Sequence, residues 1–260
     1  MCYDNPMQTI AIGNQKGGTG KTATTYALGD ALARVHGHKV LMVDIDPQSS
    51  LTKSCQVDVG SRATLADVLG GAEPGTAKIG QAVHDLGDGL MIAPSDIKLS
   101  KSELGLISRM GREGVLNKVL QGARDSIDVV LIDCPPSLSI LTINALVAAD
   151  YAIIPTQPQA VDIAGLSLFT DTVDRVRQEL NPDLAIMGAL LTFYDTRLKH
   201  HAAIIEQLDS MGLKVFDTMV GRSIRVAEAA EAGQSVISYA PENKRAKEYL
   251  QFAEEINRWL

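Results

Sequence analysis

The chain is expected to fold as an α/β protein, a mostly parallel twisted sheet with helices on both faces. Three observations carry this expectation. Short apolar runs alternate with segments of helical spacing along the whole length, the order of successive βαβ units. The first apolar run passes through a glycine-rich turn into a helix. The core is aliphatic, since 45% of the 260 residues are hydrophobic and only 4% aromatic, which suits strands buried on both faces.

The elements follow in order. QTIAIG at 8–13 is a short strand that stops at the glycine turn. Residues 21–36 then place Leu28, Leu32 and Val35 on one helical face. KVLMVDID at 39–46 is a buried strand ending in aspartates, and DGLMIAPS at 88–95 is a strand ending near Pro94. IDVVLIDCPPS at 127–137 is stopped by Pro135 and Pro136, which cannot donate to a ladder. DYAIIPTQP at 150–158 and LAIMGALLT at 184–192 continue the series, and LKVFDT at 213–218 is a shorter strand nearer an edge. Helices are expected over 101–123, 138–149, 162–179, 199–211, 223–232 and 242–258. The stretch 70–88 has the least regular pattern. With no repeat, low-complexity tract or linker, residues 1–260 read as one domain, 1–7 being a flexible N-terminal extension.

The net charge of −7 argues against a surface basic all over, though not against a local basic patch. Cys2, Cys55 and Cys134 are an odd number without paired spacing, so neither a disulfide framework nor a zinc site is expected. The N-terminal residues lack an apolar signal core, and no stretch approaches the roughly 18 apolar residues that cross a membrane. A cytoplasmic protein is expected.

The chemistry concentrates in GNQKGGTGKTATT at 13–25. The phosphate-loop pattern is G-x-x-x-x-G-K-[ST]. Aligned on Gly20, Lys21 and Thr22, its first glycine falls on Gln15, and Lys16 follows. The backbone N–H groups of Gly17, Gly18, Thr19, Gly20 and Ala23, with the helix N-terminus, form an anion site. Lys21 would reach β/γ-phosphates, and the Thr22 hydroxyl would bind Mg²⁺. Ligands in such sheets sit beyond the carboxyl ends of the strands. There, DIDPQ supplies Asp44 and Asp46, and LIDCPP supplies Asp133. Asp133 would hold Mg²⁺ as the acid of the second phosphate-binding motif. Asp44 and Asp46 alternate along an extended chain, so they should point to opposite sides, one toward the metal and one toward a nucleophilic water. Lys16 has two readings: a solvated charge, or a lysine supplied to another subunit's phosphate, as phosphoryl transfer often recruits charge in trans.

The segments NQKGGTGKT, VLMVDIDPQ, VVLIDCPPSLSILTINAL and LLTFYDTR, in this order and spacing, resemble the ParA/MinD family of deviant-loop ATPases, in particular its short, Soj-like ParA branch. The resemblance runs from about residue 8 to about residue 255. It implies a P-loop NTPase-like fold, a single ParA-type ATPase domain, ATP and Mg²⁺ as cofactors, and an ATP-sandwiched homodimer. By this similarity Lys16 reaches across the dimer and Asp46 positions the attacking water. Asp44 supports the site and, with Thr22 and Asp133, stands on the metal side. Thr192, Val220 and Arg222 belong with the nucleotide. The chain departs from the family at GRSIR, where Gly221 replaces a usual proline near the adenine, and at EAAEAG around Ala230.

The family's ATP-bound dimer coats nucleoid DNA without sequence preference, and a ParB-like partner triggers hydrolysis and release, moving a plasmid, chromosome or protein cargo. Such binding needs Lys and Arg on phosphates. The candidates are Arg197 and Lys199 in TRLKHH, and Arg222 and Arg225 in GRSIR; Lys244, Arg245 and Lys247 add to them. Residues 191–260 hold nine Lys and Arg against ten Asp and Glu, so little of the net −7 falls there. His200 and His201 read as helix surface, because nothing completes a zinc set. The alternative is a MinD-like membrane-associated positioning ATPase, whose terminal basic amphipathic helix lies on lipid. Here YLQFAEEINRWL sets Glu254 and Glu255 beside Leu250, Phe252 and Trp259, a pattern better suited to core packing than to anionic lipid. A metabolic or metal-transfer enzyme on the same fold ranks third, since Cys55 and Cys134 lack a cluster pattern. No helix-turn-helix fits before residue 8, so operator-specific binding is not expected. The resemblance thus implies a nucleoid-associated protein with no membrane partner.

Overall fold

The computed structural model describes residues 7–158, 160–195 and 200–260. Its strands are β1 (Gln8–Ile12), β2 (Val40–Asp44), β3 (His84–Gly87), β4 (Leu90–Ala93), β5 (Val129–Asp133), β6 (Tyr151–Thr156), β7 (Ala185–Tyr194) and β8 (Val220–Gly221). They form one sheet in the order β3-β4-β2-β5-β1-β6-β7-β8, parallel throughout except for β3 against β4. The helices are α1 (Lys21–Arg34), α2 (Ser50–Ser54), α3 (Leu65–Leu69), α4 (Ile79–Ala82), α5 (Lys98–Leu106), α6 (Val115–Leu120), α7 (Ile140–Ala148), α8 (Ala160–Glu179), α9 (His200–Ser210), α10 (Ile224–Glu231), α11 (Val236–Tyr239) and α12 (Lys244–Asn257). The expected α/β fold, a mostly parallel sheet with helices on both faces, is the one observed. Among the described residues no helix is long and apolar enough to cross a membrane.

The alternation of side chains along each strand builds two cores. Ala11, Leu41, Val43, Val130 and Ile132 face one layer. Ile10, Ile12, Met42, Val129 and Leu131 face the other, with α1 and α12. Leu28 and Leu32 of α1 are fully buried, each contributing ~2 kcal/mol by leaving water. Gly29 lets the helix come this close, since a Cβ there would sit 3.0 Å from the Met42 sulfur. Phe252 and Ile256 of α12 are equally buried, so its apolar stripe is core. Met7, at the end of the expected N-terminal extension, is also buried, while residues 1–6 lie outside the described part.

The connections locate the site. β1 leads through α1 to β2 on one side of the sheet, and β5 leads through α7 to β6 on the other. β1 and β5 are neighbours, so the strand order reverses between them, and a crevice opens beyond their carboxyl ends. The glycine turn and Asp133 emerge there.

Three expectations are corrected. Residues 213–218 are not a strand: Val215 makes one isolated bridge to Ala189, and the edge strand is β8, paired with Thr192 and Tyr194. Leu213 and Phe216 are both buried, a spacing of three that an extended strand would split between faces. The helix expected over 101–123 starts at Lys98 and is broken near Gly111, whose φ of 64° is left-handed. The irregular stretch 70–88 contains α4 and β3. Asp88 (φ 51°) and Gly89 (φ 83°) turn β3 back onto β4, the two positive φ values that an Asp-Gly hairpin turn requires.

Candidate functional site

The loop after β1 is built to present backbone to a ligand. Gly18 and Gly20 are left-handed, at φ 75° and 85°, and a Cβ on Gly17 would meet nothing within 4 Å. Three side chains hold the loop by tying it to distant strands. Asn14 Nδ2 donates to Pro155 O at 2.8 Å while its Oδ1 accepts Lys16 N–H at 3.0 Å. Gln157 Nε2 donates to Gly18 O at 2.6 Å, and Thr192 Oγ1 donates to Thr19 O at 2.8 Å. Lys21 folds across the loop, its Nζ donating to Lys16 O at 3.0 Å. Burial pushes the Lys21 ammonium's pKa down, opposed chiefly by the Asp133 charge.

Three carboxylates stand at or just past the ends of β2 and β5. Thr22 Oγ1 donates to Asp133 Oδ2 at 2.8 Å. Burial, then the Asp44 charge, pushes the Asp133 carboxyl up to about 8. Asp44, its register partner on β2, is fully buried and pushed up to about 6, again mainly by burial. The strand ends at Asp44, so Asp46 does not continue an extended alternation. Asp46 lies in the following turn, its N–H bonded to Asp44 Oδ1 at 3.2 Å and its Oδ1 accepting Gln48 N–H at 2.8 Å.

A groove of about 490 Å³ runs over these groups, a size suited to a small-molecule ligand. Gly17, Gly18, Gly20, Lys21, Thr22, Ala23 and Asp46 line it, with Phe193, Val226 and Ala227 on its apolar wall. Other expected site residues stand back from it. Thr19 and Thr192 are buried behind the loop, Asp44 and Asp133 lie beneath the floor, and Val220 is buried in β8. Arg222 reaches over the Phe193 ring, 5.9 Å from its centroid. Arg225 is exposed and paired with Glu228 at 2.8 Å. Lys16 is half-buried at the loop. Arg197 and Lys199 lie outside the described residues, as do the side chains of His200 and His201. Gly221 is explained by its neighbours: a Cβ there would collide with the Arg245 guanidinium, and its N–H donates to Glu248 Oε2 at 2.9 Å, a bond that a proline could not make.

Sequence reasoning missed Asn14, Gln157, Phe193 and also Tyr26, which lines the groove while its hydroxyl donates to Gly233 O at 2.8 Å. The aromatic that closes the aliphatic run LLTF was a signal for Phe193. The other three have no local pattern, because they act on segments far away in the chain.

The residues present fit a phosphate chain and a hard cation. The glycine turn and buried ammonium suit anionic oxygens, and the Thr22 hydroxyl and Asp133 carboxylate are oxygen donors of the kind Mg²⁺ takes.

Residues 7–186 match a family model described as an AAA domain. The chain is 38% identical over 249 residues to the sporulation initiation inhibitor protein Soj of Bacillus subtilis, covering 95% of this chain and 97% of that one. It is 38% identical over 260 residues to the chromosome partitioning protein ParA of Caulobacter vibrioides, covering 97% and 94%.

The chain belongs to the ParA/MinD family.

Solved structures agree with membership in the ParA/MinD family. The septum site-determining protein MinD of Pyrococcus horikoshii, complexed with Mg-ADP, superposes with a TM-score of 0.80 at 27% identity, covering 97% of each chain. Cobyrinic acid a,c-diamide synthase of Mycobacterium smegmatis, with bound ATP analogue and magnesium, gives 0.84 at 33% identity, covering 97% of this chain and 95% of that one. The fold thus carries more than one activity.

Proposed function

We propose that this chain is a partitioning or positioning ATPase whose ATP-bound homodimer holds DNA without sequence preference and lets go when a partner protein stimulates hydrolysis. The observation that carries the reading is the loop itself: a glycine turn that carries Lys16 and sets Lys21 in a groove that Asp46 also lines. Relatives named for partitioning match at 38% identity over nearly the whole of both chains, which supports this reading over a synthase.

In this reading the groove takes ATP. Lys21 and the loop N–H groups hold the β/γ-phosphates, and Phe193 with the α10 wall flanks the base. Thr22 and Asp133 hold Mg²⁺, which when bound offsets phosphate charge. Asp46 orients the attacking water, Asp44 fixes the turn that carries Asp46, and Lys16 serves the phosphate of the second subunit. Arg222 and Arg225, with Arg197 and Lys199, contact DNA phosphates. The protein then works in the cytoplasm on the nucleoid.

The test is retention of DNA by the protein with ATP, with ADP and without nucleotide, at several salt concentrations. Retention with ATP alone, falling steeply with salt, is expected. Equal, salt-insensitive retention with ATP and ADP overturns the DNA reading, and ATP-dependent binding to anionic lipid vesicles in its place moves the protein to the MinD-like alternative.

A further inference from the structure

Thr52 does not line the groove, yet it anchors the turn that does. Its backbone N–H and its hydroxyl both donate to Asp44 Oδ2, at 2.8 and 2.7 Å. The same hydroxyl oxygen accepts Ser95 N–H at 2.9 Å. A hydroxyl has a single proton. With a backbone N–H on its lone pair, Thr52 Oγ1 is left to give that proton to the carboxylate. Asp44 Oδ1 then accepts Asp46 N–H. All these groups are shielded from water: Asp44 is 0% exposed, Ser95 1% and Thr52 4%.

One buried carboxylate therefore ties together the end of β2, the short helix α2 and the segment after β4. The geometry of α2 makes the tie matter. Ser50 and Ser54 line the groove, four residues apart on one helical face, and Thr52 lies between them on the opposite face. A helix of five residues has little stability of its own, so its position depends on such outside bonds. Hydrogen bonds to a charged acceptor in a dry interior are the strong kind.

We propose that Thr52 is a positioning residue for ATP hydrolysis: it locks the Asp44 carboxylate, which holds the Asp46 backbone and so keeps the Asp46 side chain in place over the groove. The inference rests on the proposed reading in which Asp46 orients the water.

The experiment compares steady-state kcat and KM for ATP, together with thermal midpoints, in Thr52→Val, Thr52→Ser, Asp46→Ala and the Asp46→Ala/Thr52→Val double variant. Thr52→Val keeps the shape and the N–H but removes the hydroxyl. It is expected to lower kcat on the order of tenfold, as loss of a supporting hydrogen bond behind a functional ligand does, with KM little changed. Thr52→Ser should restore kcat. The double variant should be no slower than Asp46→Ala, because the two residues act as a unit. If Thr52→Val does not fold, Thr52→Cys, a weak donor of similar size, carries the same comparison. A change confined to KM, an equal loss with Thr52→Ser, or a further loss on top of Asp46→Ala overturns the role of Thr52. Wild-type turnover by Asp46→Ala overturns the assignment of Asp46 itself, whereas slow Asp46→Ala beside unimpaired Thr52→Val removes only Thr52.

Discussion

Lys21 is buried beside a turn of glycines, and its ammonium donates to a loop carbonyl. In the proposed reading Lys21 meets the phosphates, so in Lys21→Ala ATP binding measured by calorimetry should fall below detection. Asp46 differs in kind. It sits on the groove, and its carboxylate accepts the nearby Gln48 N–H. Asp46→Ala should bind ATP and Mg²⁺ normally, hydrolyse ATP at least tenfold more slowly, as expected for loss of a water-orienting group, and accumulate as a dimer on sizing columns. Asp133 carries a stability prediction. Its carboxyl is raised to about 8, so the nucleotide-free native state keeps a proton that the unfolded chain has released. Stability therefore falls as pH rises from the ordinary carboxylate range through about 8. Thermal midpoints measured without nucleotide or metal should decline across that window. In Asp133→Asn only the earlier decline from Asp44, raised to about 6, should remain.

Among the elements, the helical layer over the sheet is stitched by polar side chains that sequence patterns pass over. Asn144 on α7 is fully buried. Its Oδ1 accepts Leu116 N–H at 3.0 Å, and its Nδ2 donates to Arg112 O and Ile140 O, both at 2.8 Å. It therefore joins α7 to the start of α6. Asn144→Ala strands a buried donor and a buried acceptor, and should cost about 3 kcal/mol. Urea unfolding should show this loss while the affinity for ATP stays unchanged. An unchanged midpoint would mean that water replaces the side chain. Asn181 does similar work at the other end of α7, donating to Leu146 O, Val147 O and Ala149 O at 3.1, 3.3 and 2.7 Å.

At the scale of the whole molecule, dimerisation and DNA binding should separate by mutation. If Lys16 serves the second subunit as proposed, Lys16→Ala should abolish ATP-driven dimerisation or hydrolysis while nucleotide binding by the monomer persists. Arg225→Glu replaces an exposed side chain at the start of α10 that is not itself part of the groove lining. It should leave dimerisation intact and weaken DNA retention, lowering the slope of log affinity against log salt by about one for each phosphate no longer neutralised. Pairing two subunits doubles the basic groups that one duplex meets, so retention should follow dimerisation. If Arg225→Glu retained DNA with the wild-type salt slope, the DNA surface would have to lie elsewhere.

The sequence by itself determined the parts whose cause is local. Apolar runs alternating with helical spacing made the layered parallel sheet legible, because burying both faces of a strand needs an unbroken aliphatic run. The glycine turn between the first strand and the first helix marked the loop, because only glycine takes its left-handed backbone cheaply. Aspartates at the ends of two strands marked the crevice, because parallel neighbours bring those ends together. The tertiary structure decided what depends on segments far apart in the chain. Asp44 turns inward because Thr52 and Asp46 donate to it. The loop is held by Asn14 and Thr192 reaching between β1, β6 and β7. Position 221 is not a proline because Glu248, from α12, takes its backbone N–H. Each of these rests on a buried polar group finding its partner, and that partner is chosen by the packing of the folded chain rather than by any local pattern.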